Sequence, residues 1–252
     1  ITGVGGCGKT RLSVEVGAAM ADEFPGGVWF ADLTLERDGG KVGDRVNAAL
    51  GVVEPLDSEQ SGPVGVLDEA TAGLATLVII DNCEHLIDGV AEFTETVLRQ
   101  AASVSVLATS REALSVDGER VWRLPNLHDA AVELFVDRAT SAGVSGLEDH
   151  LDRIEVICAQ LDDIPLAIEL AAARVSSLSV DGLAERLDDR FSLLGGGSGR
   201  RRRRQHTLQT MMDWSYGLLN NEEQHVLNQL AVFSGTFPLS GVEAVVGTTA
   251  GT

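Results

Sequence analysis

The chain has 252 residues, 44% hydrophobic and 23% charged, with a formal net charge of -19; that is the balance of a globular protein with room for one large domain and one or two small ones. No run approaches the roughly 20 apolar residues needed to cross a bilayer, and so acidic a surface repels nucleic acid and anionic membranes. Cys7, Cys83 and Cys158 stand too far apart to pair as zinc ligands and point to a reducing, cytoplasmic setting.

Ile1-Thr2 reads as the remnant of a strand and leads at once into Gly3-Val4-Gly5-Gly6-Cys7-Gly8-Lys9-Thr10, so the chain reads as a segment of a longer polypeptide. Lys9 to Glu23 has helical spacing with Leu12, Val16 and Ala19 on one face, and Phe24-Pro25-Gly26-Gly27 stops it. Val28 to Leu33 has strand length. A polar loop and a helix from Lys41 to Leu50 follow, then a loop over 54–63 and a helix over Val64 to Ala72. Leu77-Val78-Ile79-Ile80 is a β-branched run of the kind that forms a buried strand. A helix over Leu86 to Ala101, a strand over Val104 to Ala108 and a last strand over Val121 to Leu124, ended by Pro125, complete the first region. Alternating strands and helices imply an α/β fold, with a parallel sheet covered by helices on both faces.

Beyond Pro125 the strand pattern stops. Helices are expected over Asp129 to Ala142, Leu147 to Leu161, Ile164 to Val175 and Val180 to Leu187. Leu151, Ile154, Ile157, Cys158 and Leu161 form one apolar stripe, Asp163 is placed to cap the third helix, and Pro165 falls in its first turn. Gly195 to Gly199 and the five arginines Arg200 to Arg204 read as a linker. Helices over Thr207 to Leu219 and Glu222 to Phe233 follow, the second opened by the capping-box pair Asn220 and Glu223. The expected organisation is a nucleotide-binding domain over 1–125, a helical domain over 126–194, a linker over 195–206 and a further partial domain over 207–252.

The opening motif has the pattern of a P-loop. Glycines at 3, 5, 6 and 8 let the backbone curl so that its N–H groups, with that of Cys7, point at phosphate oxygens, and the following helix adds its positive end. In this reading Lys9 pairs with the β- and γ-phosphates and the Thr10 hydroxyl ligates Mg²⁺, while the plain alternative is a glycine-rich turn. Leu77 to Asp81 fits the Walker B pattern, a buried strand delivering one carboxylate toward the magnesium shell, although Asp81 could also cap the next helix. Asn82 stands where vigorous ATPases often carry Glu, which predicts slow hydrolysis. Glu84 is then the nearest candidate base, or a first-turn Glu favoured by the helix dipole. His85 reads as a local structural contact. Arg111, just past a strand end, either senses the γ-phosphate or makes a surface ion pair with Glu112 or Asp117. The arginine run is a solvated linker or a contact for phosphate or an acidic partner.

Five segments together resemble the signal-transduction ATPases with numerous domains, the class that includes the NB-ARC proteins, and most of all the bacterial branch in large actinobacterial transcriptional regulators of the LuxR and AfsR types. They are Thr2 to Leu12, Val78 to His85, Ala108 to Leu114, Leu161 to Arg174, and Thr207-Leu208 through Trp214-Ser215-Tyr216 to Leu219. The resemblance implies a P-loop NTPase sheet, a helical domain and the start of a winged helix from about 207. It implies nucleotide contact at Gly3, Gly5, Gly6, Cys7, Gly8, Lys9, Thr10 and Arg11, a sensor role for Arg111, and Pro165 lying against the nucleotide. It places an adenine-contacting segment upstream of Ile1 and a phosphate-contacting histidine beyond Thr252. It departs from this chain at Asp163, where the family usually has Gly.

The resulting expectation is an ATP/ADP- and Mg²⁺-dependent signalling switch. Lys9, Asp81, Glu84 and Arg111 carry slow hydrolysis, Thr10 and Asp81 hold the metal, and effector and sensor domains lie outside this segment. No direct contact with nucleic acid or membrane is expected, and a homo-oligomer could form on activation. A catalytic ATPase motor of the AAA+ kind would carry Glu after Asp81; a P-loop kinase would need an arginine-bearing lid and an acceptor pocket.

Overall fold

In the computed structural model the residues described are 1–52, 62–193, 209, 212, 213, 216, 217, 219–233 and 236–247. The arginine run and most of the helix expected over Thr207 to Leu219 lie outside them. Two compact units divide the chain, Ile1–Asn126 and Leu127–Thr252.

The first unit is built on three parallel strands, β1 (Val28–Asp32), β2 (Thr76–Asp81) and β3 (Val104–Ala108), in the order β1-β2-β3. All six residues of β2 are buried, as the unbroken apolar run requires of a central parallel strand. Its register pairs Asp32 with Asp81 on one side and Ile80 with Ala108 on the other. Beyond β3 the sheet continues through Thr2, which is bridged in parallel to both Ser110 and Arg123. Thr2 N–H donates to the Trp122 carbonyl at 2.8 Å, Leu124 N–H to the Thr2 carbonyl at 2.8 Å, and Gly3 N–H to the Ser110 carbonyl at 3.2 Å. The few residues before the P-loop therefore lie between the end of β3 and the segment around Arg123. Of the strand expected over Val121 to Leu124, only an isolated bridge at Arg123 forms, flanked by the bonds of Trp122 and Leu124 to Thr2.

Helix α1 (Lys9–Ala19) covers one face of the sheet. Helices α2 (Val42–Ala49), α3 (Gly62–Thr71) and α4 (Ile87–Gln100) pack with Val78 and Ile80 in a single core, while Ile79 turns to α1, following the period of two along a strand. Fully burying each of these side chains is worth about 1.5–3 kcal/mol. The buried face of α1 differs from the expected one: Ser13 and Gly17 are buried and Ala19 is exposed. A Cβ on Gly17 would come within 2.7 Å of Ile79 Cδ1, so the helix sits too close to the sheet for a larger residue, and Ser13 is satisfied by donating to the Thr10 carbonyl at 2.8 Å.

The second unit is helical: α5 (Ala130–Ser141), α6 (Leu151–Gln160), α7 (Pro165–Ala172), α8 (Val175–Leu178) and α9 (Val180–Leu193). Phe135, Ile154, Ile157, Leu161, Ile164, Ile168, Leu183 and Leu187 form its core, with an ion pair from Arg138 Nε to Glu169 Oε1 at 3.0 Å tying α5 to α7. Three expectations are corrected here. Leu151, counted in the α6 stripe, is 44% exposed because a 3-10 turn over Leu147–His150 precedes the helix and buries Leu147 instead. The helix expected over Ile164 to Val175 divides into α7 and α8. Asp163 does not cap α7; the N-cap is Ile164 and no side chain caps it. Instead Asp163 has φ of 52° and faces His128 at 3.6 Å. That backbone region favours Gly and tolerates Asp. Pro165 does occupy the first turn of α7. Further on, Asn221–Leu230 is a helix whose capping box is complete: Glu223 N–H donates to Asn220 Oδ1 at 2.9 Å and Asn220 N–H to Glu223 Oε2 at 2.8 Å. A helix over Leu239–Gly247, not expected from the sequence, follows.

In α4, Gly89 rests on the backbone of the 3-10 turn Gly39–Lys41, and a Cβ there would lie 2.5 Å from Gly39 Cα and 2.6 Å from its carbonyl oxygen. Helix propensity alone favours Gly89→Ala by about 1 kcal/mol. Because the obstructing atoms are backbone, overpacking of about 1–3 kcal/mol should win. Denaturant unfolding is expected to show a net loss of stability; a gain would mean that the turn moves aside freely.

Candidate functional site

The loop over Gly3–Gly8 joins the Thr2 bridge to α1. Gly6 and Gly8 have φ of 71° and 96°, values that side-chain-bearing residues rarely adopt, and Gly8 is the N-cap of α1 without any side-chain capping bond. The first-turn amides of α1 therefore have no side-chain acceptor, the arrangement in which a helix N-terminus receives an anion. Gly3 is required for a different reason: a Cβ there would meet Cys7 Sγ at 2.7 Å. Lys9 curls back over the loop, its Nζ donating to the carbonyls of Gly3 at 3.2 Å and Val4 at 3.0 Å. Gly5 is half-buried in the loop and Arg11 is exposed on α1.

Asp81, at the end of β2, is 6% exposed and meets the loop directly. Thr10 Oγ1 donates to its carboxylate, 2.9 Å from each oxygen. Thr109 Oγ1 donates to Asp81 Oδ1 and accepts from Asn82 N–H at 3.1 Å, while the Thr109 carbonyl accepts from Cys83 N–H at 3.0 Å. Asp81 therefore serves the strand edge facing the P-loop and does not cap the next helix, α4, whose N-cap is Leu86. Sequence reading passed over Thr109. Its signal was its position in Ala108-Thr109-Ser110-Arg111, but its role depends on β3 lying between β2 and the P-loop strand.

After Asp81, Asn82 has φ of 64° and ψ of 47°. Asn is among the few residues that adopt this left-handed conformation at low cost, so the local backbone itself disfavours Glu here. The turn Cys83–His85 then sends its three side chains to different partners. The Cys83 thiol donates to the Ile80 carbonyl at 3.3 Å, and burial, with Asp81 and Glu84 nearby, pushes its pKa up to about 12. It is neither a nucleophile nor a metal ligand at neutral pH. Glu84 Oε1 accepts from Arg111 Nε at 2.7 Å. The ion-pair partner of Arg111 is thus Glu84 rather than Glu112 or Asp117. His85 Nε2 lies 2.9 Å from the Glu36 carbonyl, a structural tie to the loop after β1 that needs the tautomer protonated at Nε2.

Thr10 and Asp81 supply a hydroxyl and a carboxylate oxygen side by side at the N-terminus of a helix, a hard-oxygen donor pair that fits Mg²⁺. Among the described residues no group of three or more His, Cys, Asp or Glu could hold a metal by itself. Pro165 belongs to the second unit and is placed only within it, in the first turn of α7. Among the described residues no helix is long and apolar enough to cross a membrane.

The chain is similar to several known proteins. An uncharacterised protein of Mycobacterium tuberculosis is 40% identical over 250 residues, covering 97% of this chain and 63% of its own length. A second protein of that organism, whose name proposes an HTH-type transcriptional regulator, is 39% identical over 249 residues, covering 97% of this chain and 28% of its own length. The regulatory protein AfsR of Streptomyces griseus is 26% identical over 250 residues, 93% of this chain and 24% of its own. The chain is thus similar to bacterial regulators and carries the P-loop pattern over Gly3 to Thr10. The chain spans less than two thirds of the length of each of these relatives. A Walker-type ATPase of Pyrococcus abyssi superposes with a TM-score of 0.48 at 14% identity, over 99% of this chain and 83% of its own. No family model matches the chain.

Thr109 is the residue on which the Asp81 geometry tests most directly. Thr109→Val keeps the shape but removes one donor from a buried carboxylate and the acceptor of Asn82 N–H, a loss of about 1–3 kcal/mol. Thr109→Ser should recover most of it in the same chemical denaturation experiment. Equal stability of all three proteins would show that Asp81 is held by Thr10 alone.

Proposed function

We propose that the chain is an ATP/ADP-binding switch module of a regulatory protein, with slow hydrolysis resetting its state. The observation that carries this reading is the convergence of Thr10, Asp81 and Thr109 at the mouth of the Gly3–Gly8 loop. In the proposed complex the loop amides and Lys9 hold the phosphates, with Lys9 exchanging the Gly3 and Val4 carbonyls for phosphate oxygens. Bound Mg²⁺, held by Thr10 and Asp81, would neutralise charge between the β- and γ-phosphates. Asn82 offers no carboxylate for activating water and Glu84 is engaged by Arg111, which together favour slow turnover over a motor. The similarity to regulators supports transcriptional control as the setting, with effector and sensor domains in the rest of the protein.

The switch itself is proposed from the resemblance of the sequence to signal-transduction ATPases of the NB-ARC kind. ADP holds the sheet, the helical region around Pro165 and a winged helix from about 207 in a closed form, and ATP with Mg²⁺ opens it, with assembly into oligomers as one outcome. A ligand moves such an equilibrium only by its difference in affinity for the two forms. The proposed setting is cytoplasmic, without direct nucleic-acid binding by this segment.

In the full-length protein, Lys9→Ala should weaken ATP and ADP binding by about 10- to 100-fold, the equivalent of one charge-assisted hydrogen bond. Calorimetry measures it. Turnover should stay below about one per minute, as in intrinsic switch NTPases. Unchanged affinity in Lys9→Ala, or identical small-angle scattering with ADP and ATP, would sink the reading.

A further inference from the structure

Glu84 and Arg111 occupy each other. Arg111 Nε donates to Glu84 Oε1 at 2.7 Å, across 27 residues of sequence. Both are placed by anchored backbone. Glu84 sits in the turn that leaves Asp81, pinned by Cys83 N–H on the Thr109 carbonyl at 3.0 Å and by His85 on the Glu36 carbonyl at 2.9 Å. Arg111 follows Ser110, whose carbonyl accepts the N–H of Gly3, the first glycine of the P-loop. The pair therefore lies along the strand edge that carries Asp81, and the backbone of Arg111 is one residue from a carbonyl bonded to the loop.

The two partners are unequally free to leave. The Glu84 side chain is 15% exposed and its second oxygen, Oε2, is buried without a hydrogen-bond partner among the described residues, whereas the Arg111 side chain is 53% exposed. A largely buried carboxylate with one oxygen unsatisfied depends on the cation beside it. Arg111, on its long solvated stem, can turn toward another anion. A terminal phosphate offers that anion with more charge and with oxygens that match the guanidinium fork.

We propose that Glu84 is a positioning residue that holds Arg111 off the nucleotide until a terminal phosphate competes for it, so that this ion pair sets how strongly the site prefers triphosphate to diphosphate. The proposal rests on the nucleotide-binding reading above and deepens it. Both nucleotides meet the loop and Lys9; only the triphosphate meets the competition at Arg111. When Arg111 turns away, Glu84 Oε1 becomes free to accept a hydrogen bond from water, which orders sensing before hydrolysis.

The test is nucleotide titration of the full-length protein with ADP and a non-hydrolysable ATP analogue, each with Mg²⁺. Glu84→Gln keeps the size and removes the charge. It should raise affinity for the ATP analogue by about three- to five-fold while ADP affinity stays within about two-fold, the scale of a partly exposed ion pair. Arg111→Ala should erase the preference between the two nucleotides, and adding Glu84→Gln to it should change nothing further, since a cycle isolates the pair. A Glu84→Gln protein that binds both nucleotides with an equal change, or with none, overturns the proposal while Lys9→Ala still shows the loop to be the binding site. If Glu84→Gln does not fold by circular dichroism, Arg111→Ala decides alone: a retained preference for the ATP analogue overturns the proposal. A wild-type protein that binds neither nucleotide overturns the nucleotide reading and this proposal with it.

Discussion

The first unit depends on how one buried carboxylate is satisfied. Asp81 lies at the end of a strand with every residue buried, where an unpaired charge would cost several kcal/mol. The hydroxyls of Thr10 and Thr109 meet it there, and each comes from a different segment. The first sets where α1 begins relative to β2. The second requires β3 to stand beside β2 in the register that pairs Ile80 with Ala108. A slip of one residue would turn Thr109 to the other face of the sheet. Because β3 lies between β2 and the strand entering the P-loop, satisfying Asp81 also draws the loop, its lysine and the Ser110–Arg111 segment to the same edge.

Much of this was legible in the sequence because it is local. Glycines at 6 and 8 with positive φ, the unbroken apolar run of β2 and the capping box at Asn220 each write their conformation in adjacent residues. Elements whose burial depends on a partner were harder to read. The inner face of α1 looked like Leu12, Val16 and Ala19, yet the close approach of α1 to Ile79 puts Gly17 inward. Leu151 looked like a core position until the turn before it buried Leu147 in its place. Asp163 has the identity of a helix cap but the backbone of a left-handed turn, and the conformation decides.

The charged groups divide the same way. Asp81 could be assigned from the strand it ends, since strand and carboxylate are contiguous. The partner of Arg111 could not, because Glu112 and Asp117 are near in sequence while Glu84 is near in space. Thr109 has no chemistry of its own to draw notice. Its function exists only once the strand order sets it against Asp81, and the sheet order is a long-range fact that a pattern of apolar runs leaves open.

The magnitudes also bound what the Glu84–Arg111 exchange can accomplish. Moving a two-state protein from 1:99 to 99:1 takes about 5.5 kcal/mol of differential binding. Trading one partly exposed ion pair for a contact to phosphate supplies about 1–3 kcal/mol at best. Arg111 can therefore bias which nucleotide is held, and it can gate Glu84, but it does not by itself carry a full conformational switch. A complete switch needs further contacts that differ between the diphosphate and triphosphate states. Thr10 and Thr109 change little in that count, because both are bonded to Asp81 and not to a terminal phosphate; the difference has to arise around that phosphate and in whatever else closes over it.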